Sequence, residues 1–471
     1  MRYVALSALA AIVLAGAPSG HAQSAPHQRL AREIFEELVE INTVDSVGNN
    51  TAAAEAMARR FRAAGFPDRD IFIGGPRADK GNLVVRYRGG GGGAPKPILL
   101  LAHLDVVEAL KADWSADLDP FTFTERDGYY YGRGTTDDKA MAAMFVANLI
   151  RLKREGFVPT RDIIVALTAD EEGGPANGVD WLIRNHRVLV DAAFVINEGG
   201  GGALRDGKPL LHSVQATEKL YVDFTVEVRN RGGHSSVPRA DNAVYQLAEG
   251  LTRLGRYRFA VELNEVTRAF FERTAAVESP DVAAAMRTLA RDPRDKAAAA
   301  TVSATPRYNS MMRTTCVATM LRGGHAPNAL PQLAAANVNC RILPNTSAAA
   351  VRDTLVRVFG DTAIKVSPPP ELPPTAPSPL LPELFNVVER LTREMFGDIP
   401  VIPTMGTGAT DSKYFRAIGI PAYGVSGIFG DPNDARAHGR DERIPVKSFY
   451  DGQEFLYRLV KELAGPRPQT S

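Results

Sequence analysis

Five residues of this chain are of metal-binding type and sit just past an apolar run or at the mouth of a helix, where a fold exposes chemistry. They are His103 in LLLAHLD, Asp137 in GRGTTDDKA, Glu172 in TADEEGG, Glu198 in VINEGGG and His438 in DARAHGRDE. Two imidazoles and three carboxylates suit two divalent cations that share one bridging carboxylate. Such a pair activates water near neutral pH and clamps the oxygens of a tetrahedral intermediate. Glu171, beside Glu172, is a second carboxylate placed to act as general base. Mixed imidazole and carboxylate ligation points to zinc and also accepts cobalt or manganese. The chemistry expected is metal-assisted hydrolysis of an amide.

Each residue also has a plainer reading when taken alone. His103 and Asp105 form an HxD pair in which the carboxylate would accept the distal imidazole N–H and fix its tautomer; a hydrogen-bonded structural pair reads the same way. Asp137 stands before a helix and could be only its N-cap, with Lys139 a solvated charge. Glu171-Glu172 could be an exposed acidic turn. That is harder to sustain, because adjacent acids beyond a buried strand point in different directions, one toward a cation and one toward a bound water. Only 8 histidines occur in the chain; His186 and His212 are assigned to structure.

The elements that must position these residues alternate between apolar runs and helical segments. Gln28 to Ile41 and Ala52 to Ala64 read as amphipathic helices. Asn82 to Tyr87, Ile98 to Ala102, Ile163 to Thr168 and Ala192 to Ile196 read as strands, with helices at Met141 to Leu152 and Val179 to Asn185. The unbroken apolar character of ILLLA, IIVALT and AAFVI suits strands covered on both faces, hence a mostly parallel sheet flanked by helices. Sites in such sheets lie beyond the carboxyl ends of the strands, where His103, Glu171, Glu172 and Glu198 fall.

The texture changes near Lys219. Leu220, Val222, Phe224, Val226 and Val228 alternate with other residues, as in an antiparallel sheet with one buried face. Residues 216–346 are read as an inserted α+β domain. Within it 257–313 is charged and Ala-rich, and a surface helix pair is the default there. The catalytic domain then comprises 23–215 and 347–471, and the fold class is α/β with this insertion. Glycine runs at 89–93 and 199–202 are not phosphate cradles, since no GK[ST] follows them.

With 471 residues, 55 Lys plus Arg and 54 Asp plus Glu, the chain is multidomain and nearly neutral. No charge argument points to nucleic acid or to an anionic membrane. Residues 1–22 read as a secretion signal, with Arg2, the apolar stretch Tyr3 to Ala17 and a cleavage site at Gly20-His21-Ala22; an uncleaved anchor is the alternative. The mature protein, beginning near Gln23, is expected to be soluble and secreted or periplasmic, without membrane contact. Cys316 and Cys340, the only cysteines, form either a disulfide or two buried thiols.

Taken in order, LLLAHLDVV, W-x4-DPF at Trp114 to Phe121, DGYYYGRGTTDDK, TADEEGG, RGGHSSVP, GGHAPNALP with NCRILP, and AHGRDERIPV resemble one metallopeptidase family. It is that of aminoacylases, glutamate carboxypeptidase, carnosinase-like dipeptidases and succinyl-diaminopimelate desuccinylase, and the Gly-, Cys- and Arg-containing stretches around the insertion resemble its carboxypeptidase-S-like branch. The resemblance covers nearly all the chain after the signal. It implies one metal on His103 and Glu198, a second on Glu172 and His438, Asp137 bridging them, Glu171 as base and a cis Asp137–Asp138 peptide. It further implies that the insertion is a lid that dimerises and that His234 reaches a partner's site to steady the oxyanion. Asn328, Arg341, Gly408 and Thr410 would hold substrate, Arg341 by forking onto a free carboxylate. Ala140 stands where the family often has Gly. The substrate implied is a small peptide or dipeptide, with an N-acyl amino acid as the alternative; an inactive binding or dimerisation protein is the remote one.

Overall fold

The computed structural model describes residues 25–90, 95–369 and 375–466. The expected signal, 1–22, lies outside them, as do parts of the first glycine run and of the Pro-rich sequence SPPPELPPTAPSP. No helix among the described residues is long and apolar enough to cross a membrane.

A ten-stranded sheet forms the middle of the catalytic domain. Ile98–His103 lies parallel to both Ile163–Thr168 and Phe194–Asn197, and Phe194–Asn197 lies parallel to Ala422–Gly424. Antiparallel strands Asn82–Tyr87 and Ile71–Gly74 finish one side. The other side carries Lys208–Glu218, paired in parallel with Val401–Gly406 and antiparallel with Gly202–Arg205. The two faces explain the unbroken apolar runs, since successive strand residues point to opposite sides. Ile98, Leu100 and Ala102 face the core under helices Pro26–Glu40, Lys139–Arg154 and Val446–Ala464. Leu99 and Leu101 face the helix Gly178–Val190. Both sides are dry, so no polar alternation survives in the sequence.

The insertion is a four-stranded antiparallel sheet, Thr315–Gly323, Leu333–Ile342, Leu220–Arg229 and Ile364–Val366. Its bounds differ from 216–346. Lys208–Glu218 stays in the central sheet, while helix Ala348–Phe359 and strand Ile364–Val366 close the lid core through Val351, Leu355, Phe359 and Ile364. The lid therefore covers about 220–366. Cys316 and Cys340 face each other on adjacent strands and are disulfide-bonded.

The excursion expected as a surface helix pair is instead four helices, Glu265–Thr274, Pro280–Arg291, Lys296–Ser303 and Pro306–Met311. Phe271, Met286, Leu289 and Val302 form its core, which continues into Ile402 and Met405 of the catalytic sheet. A narrow apolar stripe on otherwise charged helices suffices for this.

Candidate active site

The parallel strands deliver their chemistry at one edge. His103 ends the strand Ile98–His103, Glu171 and Glu172 follow Ile163–Thr168, and Glu198 follows Phe194–Asn197. Asp137 and Asp138 precede helix Lys139–Arg154, and their peptide is cis. The helix is capped at Asp138 without a side-chain hydrogen bond, so Asp137 is not spent on capping. His438 arrives from a loop with φ of 62°, a left-handed conformation uncommon for residues other than glycine.

These side chains form two groups that share Asp137: His103, Asp137 and Glu198, and Asp137, Glu172 and His438, with the ligand atoms of each within 4.8 Å of one another. His103 Nε2 lies 3.0 Å from Asp137 Oδ1 and 3.9 Å from Glu198 Oε1. His438 Nε2 lies 3.1 Å from Asp137 Oδ2 and 2.8 Å from Glu172 Oε1. The two oxygens of Asp137 thus face different histidines, the arrangement a bridging carboxylate needs.

The electrostatics fit a pair of cations. Burial would drive His103 neutral, yet Asp105, Asp137 and Glu198 hold it well above its ordinary value. Hydrogen bonds to Asp137 and Glu172 push His438 up to about 10. Burial, reinforced by Asp137, pushes the Glu198 carboxyl well up. Three carboxylates in low dielectric demand positive charge, and without cations the imidazoles supply it as protons. The donor set, nitrogen and oxygen with two imidazoles, matches zinc-type ions. Glu171 is half-buried, and burial pushes its carboxyl up to about 8.

The HxD pair works differently from expectation. His103 Nδ1 lies 2.9 Å from the Asp105 backbone carbonyl, while the Asp105 carboxylate is 3.6 Å away, too far for a hydrogen bond. The carboxylate accepts instead from the Glu172 backbone amide at 2.9 Å. Asp105 therefore joins the two halves of the site, its carbonyl orienting His103 and its side chain placing Glu172.

Glu442, Asp170 and Lys80 were not singled out from the sequence, and Lys139 was read there only as a solvated charge. Glu442 is buried and accepts hydrogen bonds from Arg133, the Thr136 hydroxyl and the backbone amides of Gly134, Thr136 and Asp137. It lies four residues beyond His438, so it locks one ligand's loop onto the other's. Asp170, left-handed at φ of 57°, is held by buried Lys80, which also meets Asp45 at 2.7 Å. Lys139, expected as a solvated charge, is fully buried; its Nζ donates to the Ile41 carbonyl at 2.8 Å, and burial pulls it down to about 7.

The lid residues stand apart from this cluster. His234 is exposed, its Nδ1 2.7 Å from the Ser236 hydroxyl, and its strand pairs with Ala329 beside Asn328. Among the described residues, no hydrogen bond or ion pair joins His234 or Asn328 to the five ligand-type residues. Arg341 lies over the Tyr221 ring and donates to the Thr407 carbonyl at 3.4 Å, so it reaches the 406–410 loop. Gly408 is open, while the Thr410 hydroxyl turns inward to Glu218 at 2.8 Å.

The chain is similar to known proteins of one family. A family model described as Peptidase family M20/M25/M40 matches residues 99–462. The chain is 30% identical over 376 residues to a Dictyostelium discoideum protein named probable carboxypeptidase S-like 2, covering 78% of this chain and 71% of that one. It is 28% identical over 372 residues to an N-fatty-acyl-amino acid synthase/hydrolase of Xenopus tropicalis, covering 78% and 72%. A solved M20 family metallo-carboxypeptidase from Sulfolobus solfataricus shares the fold, with a TM-score of 0.67 at 17% identity over 92% of this chain and 99% of that one.

Proposed function

Because this chain belongs to peptidase family M20/M25/M40 and is a hydrolase of metallopeptidase type, we propose that it cleaves the amide bond on the nitrogen of an amino acid whose carboxylate is free. Small peptides and dipeptides are the first reading. N-acyl amino acids are the second, favoured by the N-fatty-acyl-amino acid synthase/hydrolase among its relatives. The observation that carries the proposal is the pair of ligand groups sharing Asp137.

His103, Asp137 and Glu198 would hold one divalent ion and Asp137, Glu172 and His438 the other; bound there, the ions supply Lewis acidity to the scissile carbonyl and to water. Zinc is the ion proposed, with cobalt or manganese also fitting the donors. Glu171 takes a proton from the attacking water and returns it to the leaving nitrogen. Its half-burial raises proton affinity while nearby positive charge lowers it, which balances the group between accepting and releasing. Arg341, with the 406–410 loop, receives the substrate carboxylate. His234, unattached to its own chain's cluster, is proposed to serve a partner subunit's site as an oxyanion donor. Export is proposed from residues 1–22, and the Cys316–Cys340 bond supports it, since disulfides persist in oxidising compartments.

The test is turnover by the metal-loaded protein on matched dipeptides and N-acyl amino acids, beside Glu171→Ala. A metal-dependent rate lost in the variant is expected. Two bound metals with no turnover on any member would overturn the proposal.

A further inference from the structure

The open face of the lid sheet carries a run of polar side chains that the proposed chemistry leaves without a task. Strand residues alternate between faces, so along Leu220–Arg229 Val222 and Phe224 enter the lid core while Tyr221 and Asp223 stay exposed. Pairing with Leu333–Ile342 sets Tyr221 opposite Arg341 and Asp223 opposite Asn339. Three donors converge on one carboxylate there. Asp223 Oδ1 accepts from the amide of Asn337 at 2.8 Å and from that of Asn339 at 2.9 Å. Asp223 Oδ2 accepts from the Tyr221 hydroxyl at 2.7 Å. The Tyr221 ring is 49% exposed, and the Arg341 guanidinium lies 4.6 Å from its centroid.

Arg341 has no ion-pair partner among the described residues. Asp223 stands two residues along the same face, yet its three donors occupy it and the two side chains form no ion pair. The guanidinium is left with the Tyr221 ring and the Thr407 carbonyl. A long, unrestrained arginine loses rotamer freedom when a ligand fixes it, and that loss weakens binding. A guanidinium already laid on an aromatic face has met that cost beforehand. The hydroxyl bond to Asp223 fixes the ring in turn. We infer that Tyr221 is a positioning residue, whose ring holds Arg341 toward the 406–410 loop for an incoming carboxylate while the ladder keeps Asp223 from neutralising it. This rests on the reading of Arg341 given above and adds the residue that orders it.

The test compares a free carboxylate with its neutral amide. Binding of N-acetyl-leucine and of N-acetyl-leucinamide would be measured by calorimetry on the metal-loaded Glu171→Ala protein, in which hydrolysis is not expected. Thermal melts would confirm that each further variant is folded. The acid is expected to bind at least ~10-fold tighter than the amide, and Arg341→Leu to abolish that preference. Tyr221→Leu should reduce the preference ~5-fold or more, and Tyr221→Phe, which keeps the ring, should retain most of it. Added to Arg341→Leu, Tyr221→Leu should change the preference no further, as for two groups acting through one contact. With Glu171 intact, Tyr221→Leu should raise KM for N-acetyl-leucine by the same factor and leave kcat nearly unchanged. A preference lost in Arg341→Leu but kept in Tyr221→Leu would overturn the role of Tyr221 alone. No preference for the acid, or one that Arg341→Leu keeps, would overturn the reading of Arg341 and the role of Tyr221 with it.

Discussion

Glu442 illustrates how a residue with no place among the ligands can decide the site. Its carboxylate collects donors from the 133–137 loop while its backbone belongs to the segment that carries His438. Glu442→Gln keeps the shape but removes the charge that balances buried Arg133. We expect about 3 kcal/mol of lost stability, as when one partner of a buried pair is neutralised. Metal affinity should fall ~10- to 100-fold, as for other groups that orient ligands. Urea unfolding and chelator competition measure the two effects; unchanged metal affinity would remove Glu442 from the site. His234→Ala belongs to the same scale with the opposite signature, two ions retained and turnover lowered ~100-fold. His103, Glu172 and Glu198 were legible because each follows an apolar run and Asp137 because it stands at the mouth of a helix, while His438 was legible only through the AHGRDERIPV resemblance. Glu442 was not, because in GRDER it reads as one more exposed charge and its donors lie 305 to 309 residues away in sequence.

At the scale of elements, the strand Lys208–Glu218 carries a buried histidine that reports on the core. His212 sits among Phe396, Phe429 and Phe455 with Nδ1 2.8 Å from the Thr392 hydroxyl. Burial lowers its pKa from 6.5 to about 3. Between those values the unfolded chain binds a proton that the folded chain refuses, so stability is complete above about pH 6.5 and is lost as pH falls. From pH 7 to pH 5 the loss from this residue is about 2 kcal/mol. His212→Asn should show a correspondingly flatter dependence in urea unfolding at the two pH values; an equal slope would mean that His212 is protonated in the fold. The strands around Ile98–His103 and Ile163–Thr168 were readable from composition because both faces are dry. The lid boundary was not, since helix Ala348–Phe359 and strand Ile364–Val366 have the same texture whichever sheet they join. The core shared by the excursion with Ile402 and Met405 left no local signal either, being made by contacts far apart in sequence.

For the whole molecule, the lid sheet ends in an edge strand whose outer side is unpaired among the described residues. Among the described residues, Thr315–Gly323 borders only Leu333–Ile342, and on it Val317, Met320 and Leu321 are 57%, 70% and 71% exposed. An open apolar edge of this kind invites pairing with another chain. With His234 on the same domain and detached from its own cluster, we expect a dimer in which each lid serves the other subunit's site. Leu321→Arg should sediment as a monomer and lose turnover while keeping its metals. A monomeric parent protein with full turnover would exclude that arrangement.

The most direct measurement counts divalent ions per chain by elemental analysis after metal loading and desalting, in the parent protein and in Asp137→Ala. Two ions per parent chain, and fewer than one in the variant that lacks the shared carboxylate, are the predicted result. A parent chain that holds one ion or none, or a variant that still holds two, would contradict the bridged pair on which the proposed hydrolysis depends.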